Sequence, residues 1–349
     1  MLEKVSICSM MRPEPPQDRG HLFLFPATGF GNTPVVIHFI IERSGSGAER
    51  KSSGALGEGN RMDTGLLLKQ KDEKLGAILR DMGRVLIAFS GGVDSTFVLK
   101  RAHQELGDQV LAVTAASETF PTREFNAAMH LAEELGVRLH KTEVKEYENA
   151  SFVANNPDRC YHCKTGLYSH LQTIAKELGY PFIVDGSNVD DLGDYRPGLQ
   201  AKTEQGVRSP LQEAGFLKSE IRELSKELGL RTWNKPSFAC LSSRIPYGTK
   251  IEKYKIDQLD EAEDFLYALG FWQVRVRHHD KIARIEVMPD ELQKVIELKD
   301  SIHEKFTSLG FTYVALDLAG YRTGSMNAVL KTNAEPAVSA EPVKKEAVQ

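Results

Sequence analysis

Five apolar residues in succession, Val85-Leu86-Ile87-Ala88-Phe89, break off into Ser90-Gly91-Gly92-Val93-Asp94-Ser95-Thr96, and the chain goes straight on into Phe97-Val98-Leu99-Lys100-Arg101-Ala102. No other stretch restricts the fold as much. An unbroken apolar run of this length suits a strand covered on both faces, and the residues after the glycines read as a helix. Gly91 and Gly92 let the backbone come close to a ligand, the first N–H groups of the helix lack partners, and its dipole favours negative charge. The expected guest is phosphate. Hydroxyls of Ser90, Ser95 and Thr96 add donors, and Asp94 could share Mg²⁺ with phosphate oxygens. Adjacent glycines followed by Asp94-Ser95 do not make the G-x-x-x-x-G-K-[ST] of a Walker loop, whose lysine is missing, and the G-x-G-x-x-G of a dinucleotide fold is absent too. The plainer alternative is an ordinary strand–turn–helix.

From Asp63 onward strand and helix signals alternate. Leu66, Leu67, Leu75, Ile78 and Leu79 predict a helix leading into the first strand. A second strand is predicted over 110–115, a helix over 122–135 ended by Gly136, a third strand over 138–144, a helix over 164–178 ended by Gly179, and a strand over 182–187. Ser219 is a plausible N-cap for a helix to Leu228, closed by Gly229. Such alternation predicts an α/β fold, a parallel sheet with helices on both faces, whose ligands bind beyond the carboxyl ends of the strands. Ser90, Ser117 and Ser187 fall at such ends. Gly186-Ser187-Asn188-Val189-Asp190-Asp191-Leu192-Gly193-Asp194-Tyr195-Arg196-Pro197-Gly198 crowds three acids, an Asn and an Arg into one loop. It suits Mg²⁺ and a nucleotide, with Asp190 as a candidate ligand beside Asp94, or else it is solvated surface.

Past Tyr247 the pattern changes. Ile256, Leu259, Ala262, Phe265, Leu266 and Leu269 have helical spacing, two alternating strands follow around His279-Asp280-Lys281, a helix starts at Pro289, and 311–318 reads as a last strand. This αββαβ unit makes a smaller α+β domain. The organisation expected is an N-terminal extension over 1–61, the α/β domain over 62–246, the α+β substrate or oligomerisation domain over 247–330, and a disordered tail over 331–349. Met62 is read as the natural start. Upstream, Pro26, Gly29, Gly31, Asn32 and Pro34 interrupt an uncharged stretch, so it makes a poor membrane span, and the acids ahead of it make a poor signal peptide.

A formal charge of −4 over 349 residues offers no broad basic field. A large nucleic-acid partner is therefore not expected, and a small-molecule substrate fits better. Four cysteines in a chain of this length do not make a disulfide scaffold, and they point to metal or redox chemistry in a reducing cytoplasm. Cys8 gets no role. Cys160-Tyr161-His162-Cys163 stands just before a predicted helix, and Cys240 lies between the two domains. The C-x-x-C alone reads equally as a redox dithiol, a zinc half-site or packing, whereas three thiols together could hold three irons of a [4Fe–4S] cluster.

The loop from Ser90 to Ser95 resembles the pyrophosphate loop of the ATP pyrophosphatase family, which includes GMP synthetase and several sulfur transferases. The resemblance implies that the loop holds the β,γ-pyrophosphate of ATP, with Gly91, Gly92, Asp94 and Thr96 taking part, while Ser117 and Gly186 border the nucleotide. Taken with Cys160 and Cys163, with Cys240-Leu241-Ser242-Ser243-Arg244-Ile245-Pro246-Tyr247-Gly248, with Arg275 and Arg277, and with Ala319-Gly320-Tyr321-Arg322-Thr323-Gly324-Ser325-Met326-Asn327, it resembles the LarE family more closely. These ATP-dependent sulfur transferases serve the nickel-pincer cofactor of lactate racemase. This closer resemblance implies an adenylated carboxylate on pyridinium-3,5-dicarboxylate mononucleotide, captured by sulfur to give a thiocarboxylate. Cys240 matches the position that gives up its own sulfur in single-cysteine members. With Cys160 and Cys163 present, the chain instead resembles the three-cysteine members, in which a [4Fe–4S] cluster is implied. Ser243, Arg244, Glu263, Arg275 and Arg277 are implied substrate contacts, and a homo-oligomer is expected. Arg275 and Arg277 share one face of their strand, where they form either a phosphate clamp or a solvated surface. Two other readings keep the loop: a thiolase acting on tRNA, and a module that senses ATP or a cluster without turnover.

Overall fold

The computed structural model describes residues 57–193 and 197–327. The expectations for Cys8, the extension, Met62 as a start in sequence, the Asp194-Tyr195-Arg196 part of the acidic loop and the tail fall wholly or partly outside those residues. Those described belong to one compact unit, Ala55–Gln349.

The long helix α1 (Gly57–Met82) leads into β1 (Val85–Ala88), followed by α2 (Val93–Leu106), β2 (Val110–Ser117), α3 (Thr122–Glu134), β3 (Leu139–Val144), the short α4 (Ala150–Val153), α5 (Arg159–Leu178) and β4 (Phe182–Val184). The four strands are parallel in the order β3-β2-β1-β4. Alternate residues of each strand serve opposite faces. Val85, Ile87, Val110, Ala112 and Val184 pack with Leu75, Leu79, Phe97 and Leu131 on one side, while Leu86, Leu111, Val113 and Ile183 pack with Tyr168, Leu171 and Ile174 of α5 on the other. Both faces are covered, as the apolar run of β1 requires. Because β2 and β4 flank β1 on opposite sides, the chain reverses direction across the sheet there, and such a switch point opens a crevice at the carboxyl ends.

Three short helices follow, α6 (Pro197–Glu204), α7 (Pro210–Ala214) and α8 (Lys218–Glu227). A second sheet is then built from α9 (Lys253–Ala268), β5 (Arg275–His279), β6 (Ile282–Glu286), α10 (Leu292–Glu297), α11 (Lys299–Ser308) and β7 (Tyr313–Leu316), in the order β5-β6-β7 with β5 antiparallel and β7 parallel to β6. The αββαβ arrangement is as expected, except that the helix from Pro289 is a 3-10 turn and two helices broken at Leu298. No helix of the described residues is long and apolar enough to cross a membrane.

Two helix starts differ from the sequence reading. α5 begins at Arg159, so Cys160 and Cys163 stand inside the helix and not ahead of it. Pro157, which favours an extended predecessor, sets the break two residues upstream. α8 starts at Lys218 with Leu217 at the cap position, and Ser219 is inside the helix. Here the Glu220 carboxylate accepts from the Leu217 N–H at 2.8 Å and supplies the cap that Ser219 was expected to give.

Candidate active site

Residues following all four parallel strands converge on one cavity of about 440 Å³. Ser90, Gly92, Asp94 and Ser95 come from the β1–α2 loop, Ser117 and Phe120 from the end of β2, Glu146 from beyond β3, and Asp185, Gly186 and Ser187 from beyond β4; Cys163, Lys164 and Tyr168 of α5 form a wall, with Phe238 and Cys240.

The loop is shaped by its glycines. Gly91 has φ +66°, in the left-handed region, and a Cβ there would stand 2.9 Å from the Ala128 Cβ of α3. A Cβ on Gly186 would reach 2.7 Å from the Ser95 nitrogen, so the β4 loop lies directly on the start of α2. Ser95 Oγ lies 3.1 Å from Ser90 Oγ and donates to the Gly92 carbonyl at 3.2 Å. Thr96 is buried and its hydroxyl donates to the same carbonyl at 2.7 Å, which takes it out of the cavity wall. The Gly91 carbonyl accepts from Lys235 Nζ at 3.1 Å.

Asp94 faces two donors, Lys218 Nζ and, at 3.3 Å, Asn188 Nδ2. Asp190 does not line the cavity; its Oδ2 accepts from the Lys218 N–H at 2.7 Å. Among the described residues no group of three His, Cys, Asp or Glu is placed to hold a metal ion.

Two of the three thiols, those of Cys163 and Cys240, line the same cavity as the loop. Cys163 Sγ donates to Glu146 Oε1 at 2.9 Å, and Thr119 donates to the other oxygen of Glu146 at 2.6 Å. Burial, and then the Glu146 charge, push the Cys163 thiol well above its ordinary pKa. Cys240 Sγ lies 2.9 Å from Ser242 Oγ. Cys160, one helical turn from Cys163, does not line the cavity; its sulfur accepts from Arg159 at 3.7 Å, and Arg159 also donates to the Ser242 carbonyl at 2.9 Å. In kind the three thiols suit a cluster with one open iron. As placed, they do not frame one: each sulfur is turned to a different side-chain partner, and no three-ligand group forms among the described residues.

The expected substrate contacts lie outside this cavity. Arg244 and Glu263 form a buried ion pair, Nε to Oε1 2.8 Å and Nη2 to Oε2 2.9 Å, and Glu263 also accepts from the Val276 N–H at 2.8 Å. Burial alone would raise the Glu263 pKa, but Arg244 holds it below the ordinary value. Arg277 makes the same two-pronged contact with buried Glu286 and donates to the Ser243 carbonyl at 2.9 Å. Arg275 donates to the carbonyls of Val274 and Ser237 and lies over the Tyr321 ring. The two guanidiniums share a face, as the spacing requires, but that face is buried among carboxylates, carbonyls and an aromatic ring. Ser243 Oγ donates to the Cys240 carbonyl at 2.8 Å. Sequence reasoning missed Glu146, Lys164, Asp185, Phe120 and Phe238. The one signal available was position, since Glu146 and Phe120 each follow a predicted strand and Asp185 stands near the end of one.

Residues 69–166 match the NAD synthase family. The chain is 46% identical over 264 residues to the pyridinium-3,5-bisthiocarboxylic acid mononucleotide synthase of Lactiplantibacillus plantarum, covering 75% of this chain and 96% of that one. An uncharacterised protein of Synechocystis sp. is 43% identical over 266 residues, 76% of this chain and 99% of its own, and one of Methanocaldococcus jannaschii is 31% identical over 240 residues, 69% and 91%.

Proposed function

The chain belongs to the LarE family of sulfur transferases, within the ATP pyrophosphatase superfamily, and on that premise we propose that it converts a carboxylate of pyridinium-3,5-biscarboxylic acid mononucleotide into a thiocarboxylate, towards the nickel-pincer cofactor of lactate racemase. The observation that carries this reading is the single cavity shared by the Ser90–Ser95 loop and by Cys163 and Cys240. A carboxylate oxygen is a poor leaving group and AMP a good one, so activation comes first. A substrate oxygen bonds to the α-phosphorus of ATP, the bond to the bridging oxygen breaks, and pyrophosphate leaves with the electron pair into the loop, where N–H groups and the hydroxyls of Ser90 and Ser95 receive it.

The sulfur of Cys240 then attacks the acyl carbon and AMP departs with the electron pair, leaving a thioester to the protein. Loss of the Cys240 Cα proton to a base breaks the Cβ–S bond, the electron pair leaves on the thiocarboxylate sulfur, and dehydroalanine remains at position 240 after one turnover. Of the two thiols on the cavity, Cys163 is held protonated against Glu146, so Cys240 is the nucleophile. The thiols as placed do not frame a [4Fe–4S] cluster, and iron and sulfide analysis of anaerobically purified protein checks for one. The reading places the enzyme in the cytoplasm, as a homo-oligomer acting on a small molecule. The experiment is to supply MgATP with the mononucleotide or with tRNA: pyrophosphate release that needs the mononucleotide and ignores tRNA supports the proposal, and release driven by tRNA, or by neither, overturns it.

A further inference from the structure

Two glycines in succession leave the peptide between them freer to rotate than other residue pairs do. In the Gly91–Gly92 unit that freedom bears on the loop's chemistry, because the carbonyl and the N–H of a trans peptide point in opposite directions. As the chain is folded, the Gly92 N–H turns to the Ser90 hydroxyl at 3.4 Å, and both residues line the cavity. A half-turn of the peptide would bring the Gly91 carbonyl to that side instead. A carbonyl oxygen in place of a donor repels phosphate.

The carbonyl is held away by a residue outside the cavity wall. Lys235 Nζ donates to it at 3.1 Å, and Lys235 does not line the cavity. A second contact aims the ammonium, an ion pair of 2.6 Å with buried Glu124 of α3. The backbone of Lys235 is fixed as well, its N–H donating to the Thr232 carbonyl and its own carbonyl accepting from Arg222 Nη2, both at 2.9 Å. Three residues on, Phe238 comes against the loop, where a Cβ on Gly92 would stand 3.8 Å from its ring, and Cys240 follows on the cavity wall. One short segment thus carries both the clamp on the loop and a thiol.

We propose that Lys235 is a positioning residue for the adenylation step, holding the Gly91–Gly92 peptide with its N–H towards the pyrophosphate of ATP from the segment that presents Cys240. This rests on the reading of the Ser90–Ser95 loop as the pyrophosphate site. Lys235 acts on the loop carbonyl and not on the nucleotide, no bond forms or breaks at it, and its proton stays in place. A charged donor on the carbonyl makes the held orientation the favoured one.

The test is calorimetric titration of the wild type, Lys235→Met and Lys235→Arg with MgATP and, separately, with AMP, which has no pyrophosphate to place in the loop. The Met variant should bind MgATP at least about tenfold more weakly while its AMP affinity stays within about threefold of the wild type, and the Arg variant should recover most of the MgATP binding. A residue that served stability alone would lower both affinities together or neither. MgATP affinity in the Met variant within about threefold of the wild type, or an equal loss for AMP, therefore overturns the proposal. If that variant fails to fold, Lys235→Gln is judged by the same pair of affinities. A wild type that binds AMP as tightly as MgATP would sink the pyrophosphate reading of the loop and the proposal with it, whereas a Met variant that keeps the wild type's preference for MgATP would sink the proposal alone.

Discussion

At the scale of single residues the account separates two cysteines that look alike in sequence. Both line the cavity, but the Cys163 thiol is tied to Glu146 and Cys240 is not. Cys240→Ala is therefore expected to keep pyrophosphate release while losing thiocarboxylate formation at least about a hundredfold, measured on the same samples by phosphate-coupled assay and mass spectrometry. His278 makes a different prediction. Fully buried beside Phe311, it is pushed by burial, and then by Lys255, from 6.5 down to about 4. Its Nδ1 has no partner among the described residues. The unfolded chain binds that proton first, so stability should be full above about pH 6.5 and fall by roughly 2 kcal/mol towards pH 4, and His278→Gln should flatten the slope in urea titrations. At this scale the sequence disclosed what is local, namely Ser90, Ser95, Ser117 and Gly186, each fixed by a turn or a strand end. Glu146 acts through burial and through Thr119 and Cys163, both more than ten residues away, which no spacing reports. The pair Arg275 and Arg277 shows the same limit in reverse: two residues on one strand face meet substrate or internal partners with equal ease, and in this structure Arg277 meets Glu286 while Arg275 meets the carbonyls of Val274 and Ser237.

At the scale of elements the site depends on two close backbone approaches, Gly91 against α3 and Gly186 against the start of α2. Gly91→Ala adds a Cβ at a positive φ and against α3, which should cost about 1–3 kcal/mol in urea unfolding and weaken MgATP binding by about tenfold or more. Gly186→Ala has no such φ, but its Cβ meets the Ser95 nitrogen at 2.7 Å and would push the loop out of place. Its affinity loss is expected to exceed what its smaller stability loss implies, seen by comparing melting with titration. Strand–helix alternation was legible because each apolar run serves one of two covered faces. The start of α5 was not, because Cys160 to Cys163 carries no periodic apolar pattern and Pro157 alone marks the break.

At the scale of the whole molecule the two sheets share more than a linker. Phe152 packs in the core of the second sheet with Leu241 and Ile245, with Cys163 against its edge, so residues from before β4 help build the later unit. Asn155, buried at φ +56°, donates from Nδ2 to the carbonyls of Ile245, Pro246 and Thr249 and accepts Arg159 on Oδ1 at 2.6 Å. Asn155→Ala should cost about 3 kcal/mol and, by freeing Arg159 from the Cys240 segment, reduce sulfur transfer more than pyrophosphate release. A change in pattern near 246 was readable in the sequence, whereas this crossing of chain segments depends on contacts at long separation. The most direct test of the whole scheme is a single-turnover quench of Cys240→Ala with ATP labelled at the α-phosphate. The account predicts that label accumulates on the mononucleotide as an acyl-adenylate approaching one per active site; label that stays in ATP, or appears as free AMP as fast as in the wild type, would contradict it.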